Sequence, residues 1–175
     1  MKLTVIRHTS VDVPSSVCYG FTDVPLKPAF QTEAEIVKNQ LTGKTFDKVY
    51  SSPLSRCTLL AAYCGYPYPV LDARLKELNF GDWEMKSWME IDKPEAAAWL
   101  TDWINHPAKN GESYLMMQKR VNEFMDELKS SDVQSVCIFT HGGVIRLIHV
   151  YLEIFSIDAS FEFPVEYGQI FEFNI

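Results

Sequence analysis

The segment that decides the fold is Ser135–Gly143, which reads SVCIFTHGG. An apolar run of strand length gives way abruptly to a histidine and two glycines. The beginning of the chain repeats this pattern, since Lys2–His8 reads KLTVIRH. In an open α/β sheet, ligands bind outside the carboxyl ends of the strands. His8 and His141 are therefore predicted to lie on the ligand-binding edge of one sheet, although they are far apart in sequence.

The rest of the chain alternates between strand and helix patterns. Further strands are predicted at Asp47–Ser51 and Gly168–Phe173, with an extended piece at Tyr66–Leu71. Helices are predicted over Thr32–Leu41, Leu54–Cys64, Ser113–Lys129 and Gly143–Ile154, with helical segments interrupted at Pro94 within Glu90–His106. Thr32 is the expected helix cap, with Glu35 as its capping-box partner. The alternation predicts a three-layer α/β/α fold with a mostly parallel, doubly wound sheet, and residues 1–175 are expected to form a single domain.

The bulk composition is that of a globular protein. Of the 175 residues, 47% are hydrophobic and 22% are charged, which disfavours disordered and membrane classes. The net charge of −7 argues against general binding to nucleic acid or to an anionic membrane. An acidic protein that binds an anionic substrate needs a local cluster of arginines to do so.

Targeting signals and cysteine pairs are not recognisable in the sequence. The first strand reaches Arg7 too soon for the core of a signal peptide, and no apolar run has the length of a membrane span. The four cysteines, at positions 18, 57, 64 and 137, form no CxxC pair and no zinc spacing. We therefore expect a reduced, cytoplasmic protein without a metal site.

Four sequence elements carry groups that can bind or transfer a phosphate. In Arg7-His8, a neutral imidazole can attack phosphorus without a separate base, and the guanidinium can hold a phosphate oxygen. The alternative for this pair is a strand end that simply meets solvent.

In His141-Gly142-Gly143, the glycines allow close backbone approach to a ligand, and the following helix offers free amides to an anion. Arg56 lies in the first turn after another strand, where a bound anion would offset the unfavourable helix dipole.

The fourth element, Leu75–Glu84, mixes carboxylates with aromatic residues. Protonation of the leaving oxygen of a phosphate ester needs a carboxylic acid or a histidine. Glu77 and Glu84 are the local candidates, and their spacing alone does not choose between them.

Together these motifs resemble those of the histidine phosphatase superfamily, also called phosphoglycerate mutase-like. The matching elements are Arg7-His8, Ser55-Arg56, Leu75–Glu84 and Thr140–Gly143, in the order that the family shows. The resemblance covers nearly the whole chain and implies the phosphoglycerate mutase-like fold. It also implies His8 as the phosphohistidine nucleophile, Glu77 as the proton donor with Glu84 as second choice, and His141, Arg7, Arg56 and Gly142 around the phosphate. No metal and no organic cofactor is implied.

A second resemblance concerns the long loop after the first strand. Its stretch Cys18–Leu26, CYGFTDVPL, is similar to that of the α-ribazole phosphatase branch of the family, which acts on α-ribazole 5′-phosphate in cobalamin assembly. Tyr19, Thr22 and Glu84 are the possible substrate-loop residues under this resemblance. The expected partner is a small phosphate ester. The alternatives are a cofactor-dependent phosphoglycerate mutase, a broad-specificity sugar or nucleotide phosphatase, and a non-catalytic module that binds a phosphorylated ligand. The oligomeric state is not predicted.

Overall fold

A computed structural model describes all residues, 1–175, and contains one five-stranded sheet. The strands are β1 (Lys2–Arg7), β2 (Lys48–Ser51), β3 (Val70–Leu71), β4 (Ser135–Thr140) and β5 (Ile170–Asn174). Their order across the sheet is β3-β2-β4-β1-β5, and only β5 runs antiparallel to its neighbour. Arg7 of β1 pairs in register with Thr140 of β4, so the next residue of each strand, a histidine, leaves the sheet at the same level.

Helices cover both faces of the sheet. They are α1 (Phe30–Leu41), α2 (Ser55–Tyr63), α3 (Lys93–Thr101), α4 (Tyr114–Lys129) and α5 (Gly142–Tyr151). Helices α1 and α2 pack on one face, and α4 and α5 pack on the other. The three-layer, mostly parallel, doubly wound fold is thereby confirmed. None of the helices combines the length and the apolar character that a membrane crossing requires.

The alternation of side chains along β4 divides the interior into two cores. Val136 and Ile138 point to the core under α4 and α5, and Cys137 and Phe139 point to the core under α1 and α2. All four of these side chains are fully buried. A strand buried on both faces reads as a continuous apolar run, which is why this segment was recognisable in the sequence. The four cysteines are free and buried, and Cys57 and Cys64 pack in the same core.

The start of α1 differs from the prediction. The helix begins at Phe30, two residues before Thr32, and its first turn follows Ala29, which has no capping side chain. Phe30 packs edge-on against the Tyr63 ring of α2, with the ring centroids 5.8 Å apart, so tertiary packing sets the first turn. Glu35 accepts a hydrogen bond from the Tyr63 hydroxyl at 3.1 Å instead of forming a capping box with Thr32. The predicted capping box was therefore wrong.

The region around Pro94 also differs. Pro94 lies in the first turn of α3 and does not interrupt a helix, because the first turn needs no amide from a proline. The Asp92 carboxylate caps that turn by accepting from the Glu95 amide at 3.3 Å. Other boundaries shift by a few residues: the extended piece at 66–71 contributes only the two residues of β3, and α5 ends at Tyr151. Glu153 follows that end with a φ of 58°, a left-handed conformation that a continuing helix could not contain.

Candidate active site

The two histidines meet at the carboxyl edge of the sheet, as the strand register requires. The ring centroids of His8 and His141 are 5.1 Å apart, and both side chains are almost completely buried. Nδ1 of His8 lies 2.7 Å from the carbonyl oxygen of Thr9, which can only accept a hydrogen bond. Nδ1 therefore carries the proton, and Nε2 of a neutral His8 keeps a free lone pair.

His141 is held by hydrogen bonds from two elements. Its Nδ1 accepts from Nε of Arg56 at 3.3 Å, and its Nε2 lies 2.8 Å from the Ser52 hydroxyl, to which the neutral ring can donate. Burial, followed by the charges of Arg56 and His8, lowers the pKa of His141 well below its ordinary value. Burial, followed by the charges of Arg56 and Arg7, does the same to the pKa of His8. Both rings are therefore neutral near pH 7.

Arg7 and Arg56 place two guanidinium groups beside the histidines without a carboxylate partner. Arg56 donates to the carbonyl oxygens of Thr22 at 2.9 Å and Gly20 at 2.5 Å. Arg7 donates to the carbonyl oxygen of Val165 and stacks on the Tyr167 ring, whose centroid is 3.9 Å from the guanidinium carbon. The Arg7 Nε is buried and has no hydrogen-bond partner. The carbonyl groups orient the two cations but leave their charges uncompensated, so the site is prepared for an anion.

The glycine pair lies at the N-terminus of α5 and allows close packing around this site. A Cβ at Gly142 would lie 3.5 Å from Nε of Arg7, and a Cβ at Gly143 would overlap the Glu77 carboxylate. Oε2 of Glu77 accepts from the Gly143 amide at 3.2 Å, and Oε1 accepts from its neighbour Leu78 at 3.0 Å. The absence of a side chain at Gly143 therefore makes room for Glu77. The absence of a side chain at Gly142 leaves the N-terminus of α5 accessible beside Arg7.

An ion pair behind the cavity fixes the backbone of Glu77. Arg120 donates to the carbonyl oxygens of Lys76 at 2.7 Å and Glu77 at 2.9 Å. Its guanidinium pairs with Glu112 at 2.6 Å, and Glu112 accepts from the Asn79 amide at 2.9 Å. This network positions Glu77 from outside the cavity.

Glu84 has a different environment from Glu77. Its carboxylate accepts from the amides of Gly20, Phe21, Thr22 and Phe80 at 2.9–3.1 Å. Burial alone would raise the pKa of Glu84, but hydrogen bonds from Thr22 and the neighbouring amides outweigh it and lower that pKa below its ordinary value. Glu84 thus stays ionised and organises the loop, which makes it a poor proton donor.

The three predicted loop residues occupy different places. Tyr19 lines the cavity, and its hydroxyl lies 3.2 Å from that of Tyr167. Thr22 and Glu84 are not among the lining residues. Thr22 contributes backbone groups, its carbonyl to Arg56 and its amide to Glu84. Through these contacts the loop orients the Arg56 guanidinium. A role of Tyr19, Thr22 and Glu84 in substrate binding stays a prediction.

The cavity beside His8 has a volume of about 240 Å³. Its charged and strongly polar lining consists of Arg7, His8, Arg56, Glu77 and Arg146. The wall is largely aromatic and comprises Tyr19, Phe80, Trp88, Tyr114 and Phe161. The arrangement can hold an oxyanion next to a nucleophilic nitrogen and can place an aromatic or apolar group beyond it.

Sequence reasoning missed part of this lining, namely Arg146 and most of the aromatic wall. Arg146 follows Gly142 by one helical turn, so it lies on the same face of α5 as the glycine pair. That spacing was the one available signal. Phe161 comes from a separate segment and had no signal in the sequence.

We expect the free energy of unfolding to decrease as the pH is lowered from 7.5 to 5.5. His8 and His141 have pKa values well below 6.5 in the folded protein, whereas in the unfolded chain they return to about 6.5. Below that pH the unfolded chain binds protons that the folded chain excludes, so each residue can cost up to about 1.4 kcal/mol per pH unit. Urea unfolding at several pH values measures the effect. His8→Asn should weaken this pH dependence. Equal pH dependence in His8→Asn and wild type would contradict the assignment.

Comparison with known proteins adds to this geometry. A family model described as Histidine phosphatase superfamily (branch 1) matches residues 3–175. The adenosylcobalamin/alpha-ribazole phosphatase of Salmonella typhimurium is 31% identical over 177 residues, covering 96% of this chain and 87% of that protein. The protein of the same name from Escherichia coli strain K12 is 30% identical over 176 residues, with the same shares covered. The solved structure of the alpha-ribazole phosphatase from Shigella flexneri matches with a TM-score of 0.92 and 27% identity, covering 100% of this chain and 91% of that one.

Proposed function

The chain belongs to branch 1 of the histidine phosphatase superfamily and is a phosphatase, and on that premise we propose that it hydrolyses α-ribazole 5′-phosphate through a phosphohistidine at His8. The observation that carries the proposal is the free Nε2 of His8 beside two guanidinium groups that have no carboxylate partner. We also propose that residues 1–175 act as one domain, because β1 and β5, from opposite ends of the chain, pair in the same sheet.

In the first step, Nε2 of His8 attacks the phosphorus atom of the bound ester. An N–P bond forms, and the P–O bond to the alcohol breaks. Arg7 and Arg56 donate hydrogen bonds to the non-bridging oxygens and offset their negative charge. Preorganised donors stabilise such charge most strongly in a site that excludes water. His141 lies next to His8 and completes the phosphate pocket with the amide end at Gly142.

Glu77 supplies the proton that the leaving alkoxide needs. Its carboxyl group faces the same cavity as His8 and can transfer its proton to the ester oxygen as the P–O bond breaks. In the second step, the resulting carboxylate takes a proton from water, and the water oxygen attacks the phosphohistidine. The N–P bond breaks, inorganic phosphate leaves, and both His8 and the protonated Glu77 are regenerated.

The substrate assignment is supported by the cavity wall and the loop. α-Ribazole 5′-phosphate carries a flat, apolar base beyond its ribose, and the aromatic rings around the cavity mouth suit such a group. The similarity of Cys18–Leu26 to α-ribazole phosphatases points the same way. The neutral nucleophile disfavours the non-catalytic alternative, because phosphate binding alone needs cations and donors and no free imidazole nitrogen.

A panel of phosphate esters tests the proposed function. We expect α-ribazole 5′-phosphate to give the highest kcat/KM, with release of free phosphate and no isomeric phosphate ester. 3-Phosphoglycerate, ribose 5-phosphate and p-nitrophenyl phosphate complete the panel, and both free phosphate and product isomers are measured. The assays contain a chelator, since no group of three or more metal-ligating side chains is assembled in the structure and the guanidinium groups can supply the positive charge. Interconversion of phosphoglycerates without phosphate release would favour the mutase alternative instead.

A further inference from the structure

Arg146 is a third guanidinium group in the cavity, and the mechanism above does not use it. It lies on α5, half-buried, and lines the cavity together with Glu77, Tyr114 and Phe161. Its Nε donates to the carbonyl oxygen of Phe163 at 3.0 Å. It forms no ion pair and no other hydrogen bond, so its two terminal nitrogens remain available to a ligand.

Arg146 and Arg7 are held by the same short segment of the chain. Arg146 donates to the carbonyl of Phe163, and Arg7 donates to the carbonyl of Val165, two residues later. The two guanidinium groups flank Gly142, since a Cβ there would lie 3.3 Å from Nη1 of Arg146 and 3.5 Å from Nε of Arg7. Neutral carbonyl groups fix two cations close together without compensating their charge. Such an arrangement is stable when a ligand supplies acceptors to both.

The surroundings of Arg146 differ from those of Arg7. Its guanidinium carbon lies 5.7 Å from the centroid of the exposed Phe161 ring, near the cavity mouth. The Phe161 ring in turn packs against Tyr114, with the ring centroids 5.4 Å apart. The Glu77 carboxylate accepts from the amide of Gly143, the residue next to Gly142. Arg146 therefore lies between the N-terminus of α5 and the aromatic wall of the cavity.

We propose that Arg146 is a specificity residue that donates hydrogen bonds to oxygen atoms of the leaving alcohol. The ligand class is an alkyl phosphate with a hydroxyl or ring oxygen within a few bonds of the ester, as in a pentose 5-phosphate. The inference rests on the proposed function, because it takes the phosphoryl group to be bound at His8. It predicts that Arg146 separates sugar phosphates from esters whose alcohol has no second oxygen, such as phenyl phosphate.

The test is the substitution Arg146→Met, which keeps the length and apolar packing of the side chain but removes the donors. We expect kcat/KM for α-ribazole 5′-phosphate and ribose 5-phosphate to fall by about 10- to 100-fold, the range for a lost hydrogen bond to a charged group. Phenyl phosphate should lose less than about threefold, and the inhibition constant of vanadate should stay unchanged. Lys119→Met on the exposed side of α4 removes the same charge away from the cavity and is the matched control.

Two outcomes would overturn the proposal. The first is an equal loss of kcat/KM for ribose 5-phosphate and phenyl phosphate, or an inhibition constant of vanadate that rises by the same factor. Either result would mean that Arg146 contacts the phosphoryl group or has only a structural role. Unchanged values for every ester would show that Arg146 contacts no ligand. Calorimetric binding of the same esters to His8→Ala, with and without Arg146→Met, gives the same comparison without turnover. Failure of wild-type hydrolysis then counts against the proposed function, and loss of the binding difference counts against the role of Arg146.

Discussion

Replacing His8 with alanine should abolish phosphate release from every ester of the panel. The substitution removes the atom that forms the N–P bond, and His141 cannot replace it because both of its ring nitrogens are engaged by Arg56 and Ser52. Loss of a nucleophile from a preassembled site costs on the order of 10⁴-fold or more in kcat. Steady-state phosphate release measures this loss. Rapid quenching with ³²P-labelled ester should show an acid-labile phosphoenzyme in the wild type and none in His8→Ala.

The controls separate loss of chemistry from loss of structure. His8→Ala should still bind phosphate, because Arg7 and Arg56 are oriented by backbone carbonyls and not by His8. The exposed His106→Ala should retain full turnover. Near-normal turnover in His8→Ala would refute the phosphohistidine mechanism. An acid-labile phosphoenzyme that persists in His8→Ala would move the nucleophile to another residue.

Replacing Glu77 with glutamine should slow hydrolysis most for those esters whose alcohol is a poor leaving group. The amide oxygen of glutamine can still accept from the Gly143 amide, but the side chain cannot supply a proton. A positioned general acid contributes about 100- to 10,000-fold, so alkyl esters such as ribose 5-phosphate should lose within that range. p-Nitrophenyl phosphate should keep its burst phase, since nitrophenolate leaves unprotonated. Its steady-state rate should fall, because Glu77 also activates the attacking water.

Glu84→Gln is the matched control, because Glu84 lies near Glu77 but its carboxylate binds the backbone amides of the loop. The substitution weakens the hydrogen bonds to the amides of Gly20–Thr22, and those residues present the carbonyls that orient Arg56. We expect a higher KM for all esters, with no dependence on the leaving group. If leaving-group dependence appeared only in Glu84→Gln, the proton donor would be Glu84 and the assignment of Glu77 would be wrong.

The sequence predicted the centre of this fold well, because local pattern and burial agree there. β4 is buried on both faces and reads as an unbroken apolar run that stops at His141, so the position where the strand ends was predicted correctly. The start of α1 could not be found in the same way. Phe30 extends the helix by packing on Tyr63, which is 33 positions away in the chain. The capping pattern at Thr32 is a local signal and contains no information about that distant contact.

The same distinction holds for the candidate site. Residues attached directly to strand ends, such as His8 and Arg7, were recognisable because strand position fixes where they point. The aromatic wall was not recognisable, since Phe161 and Trp88 come from loop segments that the fold alone brings together. Arg146 was predictable only in part. Its helical spacing from Gly142 is visible in the sequence, but its lack of a carboxylate partner is a property of the folded chain.

The strand that carries the nucleophile is synthesised well before the two strands that pair with it in the sheet. β1 is flanked by β4 and β5, which begin at Ser135 and Ile170. At about 5–20 residues per second, a ribosome needs on the order of ten seconds to deliver them. Until then the nascent chain exposes both edges of an apolar strand, the kind of surface that attracts other strands and chaperones. The active site is therefore completed only after β5 has been synthesised and has paired with β1.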